Sequence, residues 1–198
     1  MEIYVIASAE FEFEPLKNIA RSSKIKFHFI SFGIGIINAS INVQQLSNKL
    51  RDKHVIYIGT CGIFSAFERT SLLQATEVRW LPTSDRTGHS QSIENLHPSF
   101  MLPSSNIRLP TCSVITSPTI SLSDYSIPAV QEKLPANQNI VENLELYPIA
   151  KELRLVVKRI DIILATTNSI GPTARSQWKE NYKEAAITTA KWIMGEYR

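Results

Sequence analysis

The sequence predicts an α/β fold in which a largely parallel sheet is covered by helices on both sides. Short apolar runs alternate along the chain with segments whose apolar residues recur at helical spacing, a pattern typical of parallel sheets. The first run, residues 3–7, is continuously apolar rather than alternating, as expected for a strand buried on both faces. With 198 residues and 43% hydrophobic content, the chain is predicted to form a single domain spanning 1–198.

The first part of the chain predicts three strands and two helices. After the strand at 3–7, a helix is predicted at 12–20 and a second strand at 25–30. Two glycines within 33–35 then open a longer helix. Its apolar stripe is spaced by three and four residues and consists of Ile36, Ala39, Val43, Leu46 and Leu50. A third strand, 54–58, leads into a glycine-bearing turn at 59–62.

Further strands are predicted at 72–80, 113–116 and 161–166. A final helix is also predicted, and five of its residues share one face, namely Trp178, Tyr182, Ala185, Thr189 and Trp192. Residues 82–110 interrupt this alternation, because they are rich in Ser, Thr, Asn, His and Pro and show little periodicity. We expect a long loop there, and loops of this length are lids, binding segments or disordered.

Composition argues against several classes of protein. The formal net charge is only +3, and Lys and Arg are dispersed, so we expect neither a nucleic-acid partner nor a membrane-surface one. No apolar run approaches the length of a membrane span, and no basic leader precedes the first strand. Cys61 and Cys112 make neither a disulfide framework nor a zinc site. We therefore expect a cytoplasmic protein with two buried thiols.

Asn168 marks the clearest candidate site. It follows the apolar run 161–166 and precedes a Gly-Pro pair at 171–172, after which a helical pattern resumes. Ligands of open α/β sheets bind just beyond the carboxyl ends of the strands. An amide at that position can both donate and accept hydrogen bonds without carrying charge.

Two glutamates and two glycine segments are further candidates, each with a structural alternative. Glu12 follows the first strand, and Glu145 follows Asn143, a candidate helix cap. Each carboxylate could instead be a first-turn partner of a helix dipole. The glycines at 33–35 and 59–62 could expose backbone N–H groups to a ligand or form ordinary tight turns. The first segment lacks the third glycine of a dinucleotide fingerprint.

Taken together and in order, these residues resemble the nucleoside phosphorylase and nucleosidase superfamily. Glu12 ends an opening similar to that of the family, and 141–145 resembles its Val-Glu-Ser-Met-Glu. Asn168, the Gly-Pro pair and the Arg-Ser-Gln-Trp of 175–178 resemble its most specific signature. Within the superfamily, the chain is most similar to the futalosine hydrolases of menaquinone biosynthesis. The resemblance implies a nucleoside phosphorylase-like fold, a three-layer αβα sandwich with a mixed, largely parallel sheet.

The resemblance also implies roles for particular residues. Glu12 would activate the attacking water, Glu145 would hold the ribose hydroxyls, and Asn168 would contact the purine. The remaining residues of the implied substrate site are Ile34, Thr60, Cys61, Gly62, Asn143, Leu144 and Arg175. A base near the anomeric carbon and a donor at the departing purine address the two charges of such a reaction. The family implies no metal or organic cofactor, a small-molecule nucleoside substrate, and a homodimer or higher homo-oligomer.

Two positions refine the expected reaction. Adenine-type relatives have an aspartic acid where this chain has Asn168, so the amide favours a 6-oxopurine such as the hypoxanthine of futalosine. Phosphorylases have an arginine, the natural clamp for an oxyanion, where this chain has Tyr57. Water is therefore the expected nucleophile.

Three alternatives remain open on the sequence. One is a methylthioadenosine/S-adenosylhomocysteine nucleosidase, and another is a purine nucleoside phosphorylase. The third is a catalytically silent purine-binding member, because Leu146, Tyr147 and Pro148 replace small residues after Glu145 and would crowd the ribose side. A carboxylate on the substrate could be met by one of the arginines Arg79, Arg86 and Arg175, and a neighbouring subunit's site could be reached by the loop histidines His89 and His97.

Overall fold

A computed structural model describes residues 1–64, 67, 69–81, 99–103, 105–121 and 139–197. Its strands, numbered along the chain, are β1 Glu2–Ala7, β2 Lys26–Ser31, β3 His54–Ile63, β4 Leu72–Trp80, β5 Ser99–Met101, β6 Thr111–Thr116, β7 Asn139–Glu142 and β8 Arg159–Ser169. The helices of the described ranges are α1 Glu10–Ile19, α2 Ile36–Leu50, α3 Leu146–Val156 and α4 Ala174–Glu196, and a 3-10 turn Ala20–Ser22 follows α1. The predicted α/β class is confirmed.

The sheet is mixed and partly closed on itself. β1 pairs in parallel with both β2 and β3, and β3 pairs in parallel with β8. β4 is antiparallel to β8 and parallel to β6, β6 is parallel to β7, and β7 returns antiparallel to β3. Strands β3, β8, β4, β6 and β7 therefore form a closed ring, with β1 and β2 extending it beyond β3. The three-layer arrangement stays a prediction.

The two faces of β1 are buried in different apolar clusters. Ile3 and Val5 pack with residues of α1 and α4, including Leu16 and Ile193. Tyr4 and Ile6 pack instead with residues of α2 and α3. Because successive side chains of a strand point to opposite faces, one face of β1 contacts residues of α1 and α4 and the other contacts residues of α2 and α3. The continuously apolar sequence of β1 follows from burial on both faces.

The glycine turn predicted at 59–62 is wrong. These residues continue β3, which stays paired with β8 as far as Ile63 and carries a bulge between Cys61 and Gly62. The glycine at position 62 does not serve a turn. It lets the Asn168 side chain lie close to the β3 backbone, because a Cβ at Gly62 would lie 2.7 Å from Nδ2 of Asn168. Asn168 likewise lies within the last part of β8 rather than beyond it.

The long loop predicted at 82–110 is wrong in part. Residues 82–98 lie outside the described residues, but Ser99–Met101 forms β5, antiparallel to β4. A strand of three residues is too short to show periodicity, so only pairing with β4 identifies it. The short strand β7 was missed for the same reason.

None of the helices within the described ranges is both long enough and apolar enough to cross a bilayer.

Candidate active site

One cavity of about 390 Å³ lies at the carboxyl ends of β1, β3 and β8 and is lined in part by the last residues of β3 and β8. All of the predicted site residues line it, namely Glu12, Ile34, Thr60, Cys61, Gly62, Asn143, Leu144, Glu145, Asn168 and Arg175. They come from segments far apart in the chain, so the sheet topology brings them together. The cavity has the size of a small-molecule site.

Glu12 lies in the first turn of α1 and is 7% exposed. Its Oε2 accepts a hydrogen bond of 3.0 Å from the backbone N–H of Ala9, which caps the helix. Burial raises the pKa of this carboxyl from 4.5 to about 8, and the charge of Glu145 adds to the rise. Backbone N–H groups of Ala9, Thr60 and Ser8 act in the opposite direction. A carboxyl with such a pKa can gain or lose a proton near neutral pH.

Glu145 immediately precedes α3 and is 7% exposed. Its Oε1 accepts a hydrogen bond of 2.9 Å from the backbone N–H of Gly35. Gly35 has a φ of +86°, which glycine adopts without the steric cost of a side chain. The exposed N–H predicted for the 33–35 segment therefore holds a carboxylate of the protein. Burial raises the pKa of Glu145, and hydrogen bonds from Gly35 and Ser8 oppose that rise.

The Asn143 side chain fixes the start of α3. Its Oδ1 accepts hydrogen bonds from the backbone N–H groups of Glu145 at 3.1 Å and Leu146 at 2.9 Å. The predicted capping role is confirmed. The cap sets the direction of the Glu145–Leu146 backbone and thereby aims Glu145 into the cavity.

The Asn168 amide retains capacity for a ligand. Its Oδ1 accepts a hydrogen bond from Thr167 Oγ1 at 2.9 Å, and its Nδ2 donates to the Ser169 carbonyl at 3.0 Å. A carboxamide has two N–H donors and two lone pairs. One donor and one acceptor are therefore left for a molecule in the cavity.

Aromatic rings form a wall of the cavity that the sequence did not predict. Phe11 and Trp178 line it with ring centroids 6.0 Å apart, and Tyr182 stacks behind Trp178 at 5.0 Å. The Trp178 indole N–H donates to Thr60 Oγ1 at 3.1 Å, which fixes the ring. Such a surface suits a flat heteroaromatic ligand. Trp178 belonged to the recognised signature, so its spacing from Asn168 was the available signal.

Other lining residues were also missed. Ser8 lines the cavity and directly follows β1. The rule that ligands bind at the carboxyl ends of strands, which selected Asn168, could therefore have selected Ser8 as well. Glu142 accepts hydrogen bonds from the backbone and side chain of Ser121. The remaining lining residues are Ala9, Ile120, Thr167 and Ala174.

Several sequence candidates take other positions. Arg79 is paired with Glu77 at 2.8 Å and does not line the cavity, whereas Arg175 does. Arg86, His89 and His97 lie outside the described residues. Cys61 and Cys112 are buried and free. Among the residues that the structure describes, no cluster of His, Cys, Asp or Glu could hold a metal ion.

The crowding expected from the residues after Glu145 does not occur. Leu146 is fully buried and Tyr147 is 9% exposed, and both belong to the core between the sheet and α2. Tyr147 contacts the rings of Trp80 and Phe100. Neither residue lines the cavity. Pro148 lies in the first turn of α3, where a missing N–H breaks no helical hydrogen bond.

Solved structures share this architecture over nearly the whole chain. A mutant of Helicobacter pylori 5′-methylthioadenosine nucleosidase with 5′-methylthioadenosine in the active site matches with a TM-score of 0.77 at 13% identity, covering 98% of this chain and 96% of that one. Native futalosine hydrolase of Helicobacter pylori matches at 0.76 and 12% identity, with 98% and 96% covered. The methylthioadenosine/S-adenosylhomocysteine nucleosidase of Colwellia psychrerythraea, in complex with adenine, matches at 0.74 and 19%, with 98% and 93% covered. This chain has the nucleosidase fold.

Sequence comparison adds nothing to this structural likeness. No family model matches the chain, and no curated protein matches it. Within the nucleosidase fold, the activity of this chain must therefore be argued from its own cavity.

Proposed function

We propose that the protein is a purine nucleosidase that hydrolyses the N-ribosidic bond of its substrate. The observation that carries this proposal is that the buried carboxyl groups of Glu12 and Glu145 and the amide of Asn168 converge on a single cavity. Water supplies the oxygen that bonds to the anomeric carbon, and the bond from that carbon to the purine nitrogen breaks. Glu12 takes one proton from the water, the departing purine nitrogen takes one proton from solvent, and Glu12 afterwards returns its own proton to solvent. Such proton transfers contribute about 10²–10⁴-fold to a rate.

The geometry supports a division of labour inside the cavity. Glu145, held by Gly35, is suited to bind the ribose diol, with Leu144 against the sugar. Asn168 is suited to the purine edge, and Phe11 and Trp178 to its faces. The lining residues Ile34, Thr60, Cys61, Gly62 and Asn143 complete the proposed substrate site.

The proposed substrate is futalosine, with hypoxanthine and dehypoxanthine futalosine as products. The amide of Asn168 can donate toward a ring nitrogen or a 6-oxo oxygen. Arg175, on α4, is the cation of the described cavity lining and is suited to the carboxylate of the substrate side group. The fold of futalosine hydrolase from Helicobacter pylori is consistent with this assignment.

Methylthioadenosine is the second candidate substrate, and a specific observation favours it. The remaining donor and acceptor of Asn168 also match the ring nitrogen and the amino group of adenine. Two of the similar structures contain methylthioadenosine or adenine.

Hydrolysis is favoured over phosphorolysis by the residue at position 57. Tyr57 occupies the position at which phosphorylases have an arginine, and its ring is fully buried. A buried phenol offers a phosphate dianion one donor and no charge, whereas an arginine offers both charge and a bidentate fork.

We also propose that the protein is cytoplasmic, needs no cofactor and acts as a homo-oligomer. Exposed isoleucines beside the cavity support the homo-oligomer. Ile37 and Ile41 lie four residues apart on α2, and Ile34 precedes them, with 73%, 51% and 62% of their surfaces exposed. A second copy of the chain would cover this stripe. Light scattering of the purified protein decides the oligomeric state.

The deciding experiment measures purine release from futalosine, inosine and methylthioadenosine, with and without phosphate, by the wild type and by Asn168→Asp. We expect wild-type turnover of futalosine that is independent of phosphate. The variant should shift the preference toward methylthioadenosine by about 10-fold or more, because an aspartic acid can accept from the 6-amino group and also give up a proton to the ring nitrogen, which an amide cannot do. Dependence on phosphate would refute hydrolysis, and faster wild-type cleavage of methylthioadenosine would refute the choice of futalosine.

A further inference from the structure

We propose that Gln177 and Asn181 are positioning residues that aim the Asn168 amide into the cavity. They lie one turn apart on α4 and hold backbone groups on either side of Asn168, at a bulge in β8. Neither side chain belongs to the described lining of the cavity, so both act through Asn168. The inference rests on the proposed function, because it concerns the residue assigned there to the purine edge.

A bulge in β8 sets the direction of Asn168. Cys61 of β3 pairs with Thr166. The next residue of β3, Gly62, pairs with Asn168, so Thr167 is an extra residue of β8 with no residue opposite it. Bulges beside active sites re-aim a neighbouring side chain, but they also disrupt the ladder of hydrogen bonds locally. The buried backbone groups at such a point need other partners.

Side chains of α4 supply those partners. Gln177 Oε1 accepts a hydrogen bond of 2.8 Å from the backbone N–H of Ser169. Asn181 Nδ2 donates to the Thr167 carbonyl at 3.0 Å. Because Thr167 is fully buried, its carbonyl oxygen could not turn to bulk water instead. One helix therefore fixes the backbone both before and after Asn168.

Backbone partners fix the orientation of all three amide side chains. The Ser169 N–H can only donate, so the atom of Gln177 that faces it is the oxygen. The carbonyl oxygens of Thr167 and Gln177 can only accept, so the N–H hydrogens of Asn181 point at them, at 3.0 and 2.8 Å. Asn168 Nδ2 likewise donates to the Ser169 carbonyl at 3.0 Å, which leaves its second N–H hydrogen for the cavity.

The helix that holds Asn168 also carries part of the cavity wall. Arg175 and Trp178 line the cavity from α4, and Gln177 lies between them in the sequence. The Trp178 indole is itself fixed by Thr60. α4 therefore sets the distance between the polar group for the purine edge and the ring for its face. The Arg-Ser-Gln-Trp run combines two lining residues with one positioning residue.

The test uses two substitutions that make the same chemical change with opposite expected results. Gln177→Glu and Asn181→Asp each replace an amide with a carboxylate of similar shape and add one negative charge to α4. A carboxylate can still accept from the Ser169 N–H, but it cannot donate to the Thr167 carbonyl. By calorimetry with hypoxanthine and adenine, we expect Asn181→Asp to weaken purine binding by about 10-fold or more and Gln177→Glu to retain it within about 3-fold.

A spectroscopic measurement extends the test to the protein without purine. Nitrogen-15 NMR follows the side-chain NH₂ signals of Asn168, which the Asn168→Asp spectrum assigns by their loss. Asn181→Asp should shift these signals, whereas Gln177→Glu should leave them close to their wild-type positions. Gln177→Met removes the strong acceptor and should shift them too. Lys179→Met is its matched control, because Lys179 is exposed on the same turn.

Equal effects of Gln177→Glu and Asn181→Asp would overturn the inference, because added charge acts alike in both variants. A purely structural role would lower the melting temperature and leave the Asn168 signals and the purine affinity of the folded protein unchanged, which would also overturn it. If Asn181→Asp does not fold, Gln177→Met and Gln177→Glu give the same comparison. If the wild type binds neither purine, the proposed function fails, and the Asn168 signals still decide the positioning role.

Discussion

Glu12 serves both the helix that carries it and the cavity that it lines. Its Oε2 caps the Ala9 N–H, as first-turn carboxylates commonly do. Its burial raises the pKa to about 8, which a solvated first-turn carboxylate would not show. The sequence left Glu12 either as a site residue or as a first-turn carboxylate of a helix, and the side chain fits both descriptions. The cap orients the carboxyl, and desolvation raises its affinity for a proton, as a general base working near neutral pH requires.

The residue scale yields a prediction for Glu12→Gln. We expect turnover to fall by about 10²–10⁴-fold, because glutamine cannot take a proton from water. Purine binding should persist, since the amide oxygen can still accept the Ala9 hydrogen bond. Steady-state kinetics together with calorimetry of purine binding check both parts.

Glu10→Gln is the matched control for this prediction. Glu10 lies on the same helix turn but is exposed, so its turnover should stay at the wild-type level. Unchanged turnover in Glu12→Gln would remove Glu12 from the proposed mechanism.

At the scale of the element, α3 explains how a bulky sequence can follow Glu145. Leu146, Ile149 and Leu153 recur at helical spacing and are fully buried, whereas Leu155 on the other side is 69% exposed. The helix buries its large residues against the core and leaves the cavity to the residues before it. Asn143 fixes the point where the cavity-lining residues end and the core-facing helix begins, because its side chain accepts a hydrogen bond from the Leu146 N–H.

This arrangement predicts a large difference between two truncations in α3. Ile149→Ala should lower the free energy of unfolding by about 2–5 kcal/mol, because it leaves a cavity in a packed core. Leu155→Ala is the control in the same helix and should change it by less than about 0.5 kcal/mol. Urea denaturation measures both, and equal losses would contradict the burial pattern.

Across the whole molecule, the amino ends and the carboxyl ends of the central strands form two edges of the sheet, and these carry carboxyl groups with opposite pKa shifts. At the carboxyl edge, burial raises the pKa of Glu12 and Glu145. At the other edge, burial alone would raise the pKa of Asp161, but hydrogen bonds from His54, Ser105 and Arg159 hold it below its ordinary value. The Tyr197 hydroxyl also donates to Asp161, at 3.0 Å. The surroundings of Asp161 therefore favour its ionised form, whereas those of Glu12 and Glu145 favour their protonated forms.

The molecule should therefore lose stability as pH rises toward 8. Between 4.5 and about 8, the folded state holds a proton on Glu12 that the unfolded state has released. The free energy of unfolding then falls with rising pH, by up to about 1.4 kcal/mol per pH unit for one such group. Asp161 acts in a different window, since its stabilisation is lost only as pH falls below its unfolded value of 3.8.

Denaturation of the wild type and Glu12→Gln across this pH range checks the linkage. The variant should show a flatter dependence and should be the more stable protein near the upper end of the window, because its amide needs no proton. Glu10→Gln should follow the wild type. Parallel curves for the wild type and Glu12→Gln would show that Glu12 titrates alike in both states.

The residues of the cavity were accessible to sequence reasoning to different extents. Glu12 and Asn168 could be found because each comes shortly after an apolar run, and Glu145 because it follows the candidate cap Asn143. All three also occur in a recognised order. Ser8 could have been found by the rule that selected Asn168, because it directly follows β1, whereas no local pattern separates Phe11 from an ordinary core residue. The Tyr57–Ser8 contact joins residues 49 positions apart, and no spacing in the sequence expresses it.

The sequence by itself determined the α/β class and most of the strands and helices, because these depend on apolar periodicity, which is a local property. Its resemblance to a known superfamily, rather than periodicity, pointed to most of the side chains that gather at the cavity. Only the tertiary structure decided that 59–62 is strand, that β5 and β7 pair, and that Leu146 and Tyr147 turn into the core. It also decided the pKa of Glu12, because desolvation and the nearby Glu145 carboxylate exist only after distant segments have packed together.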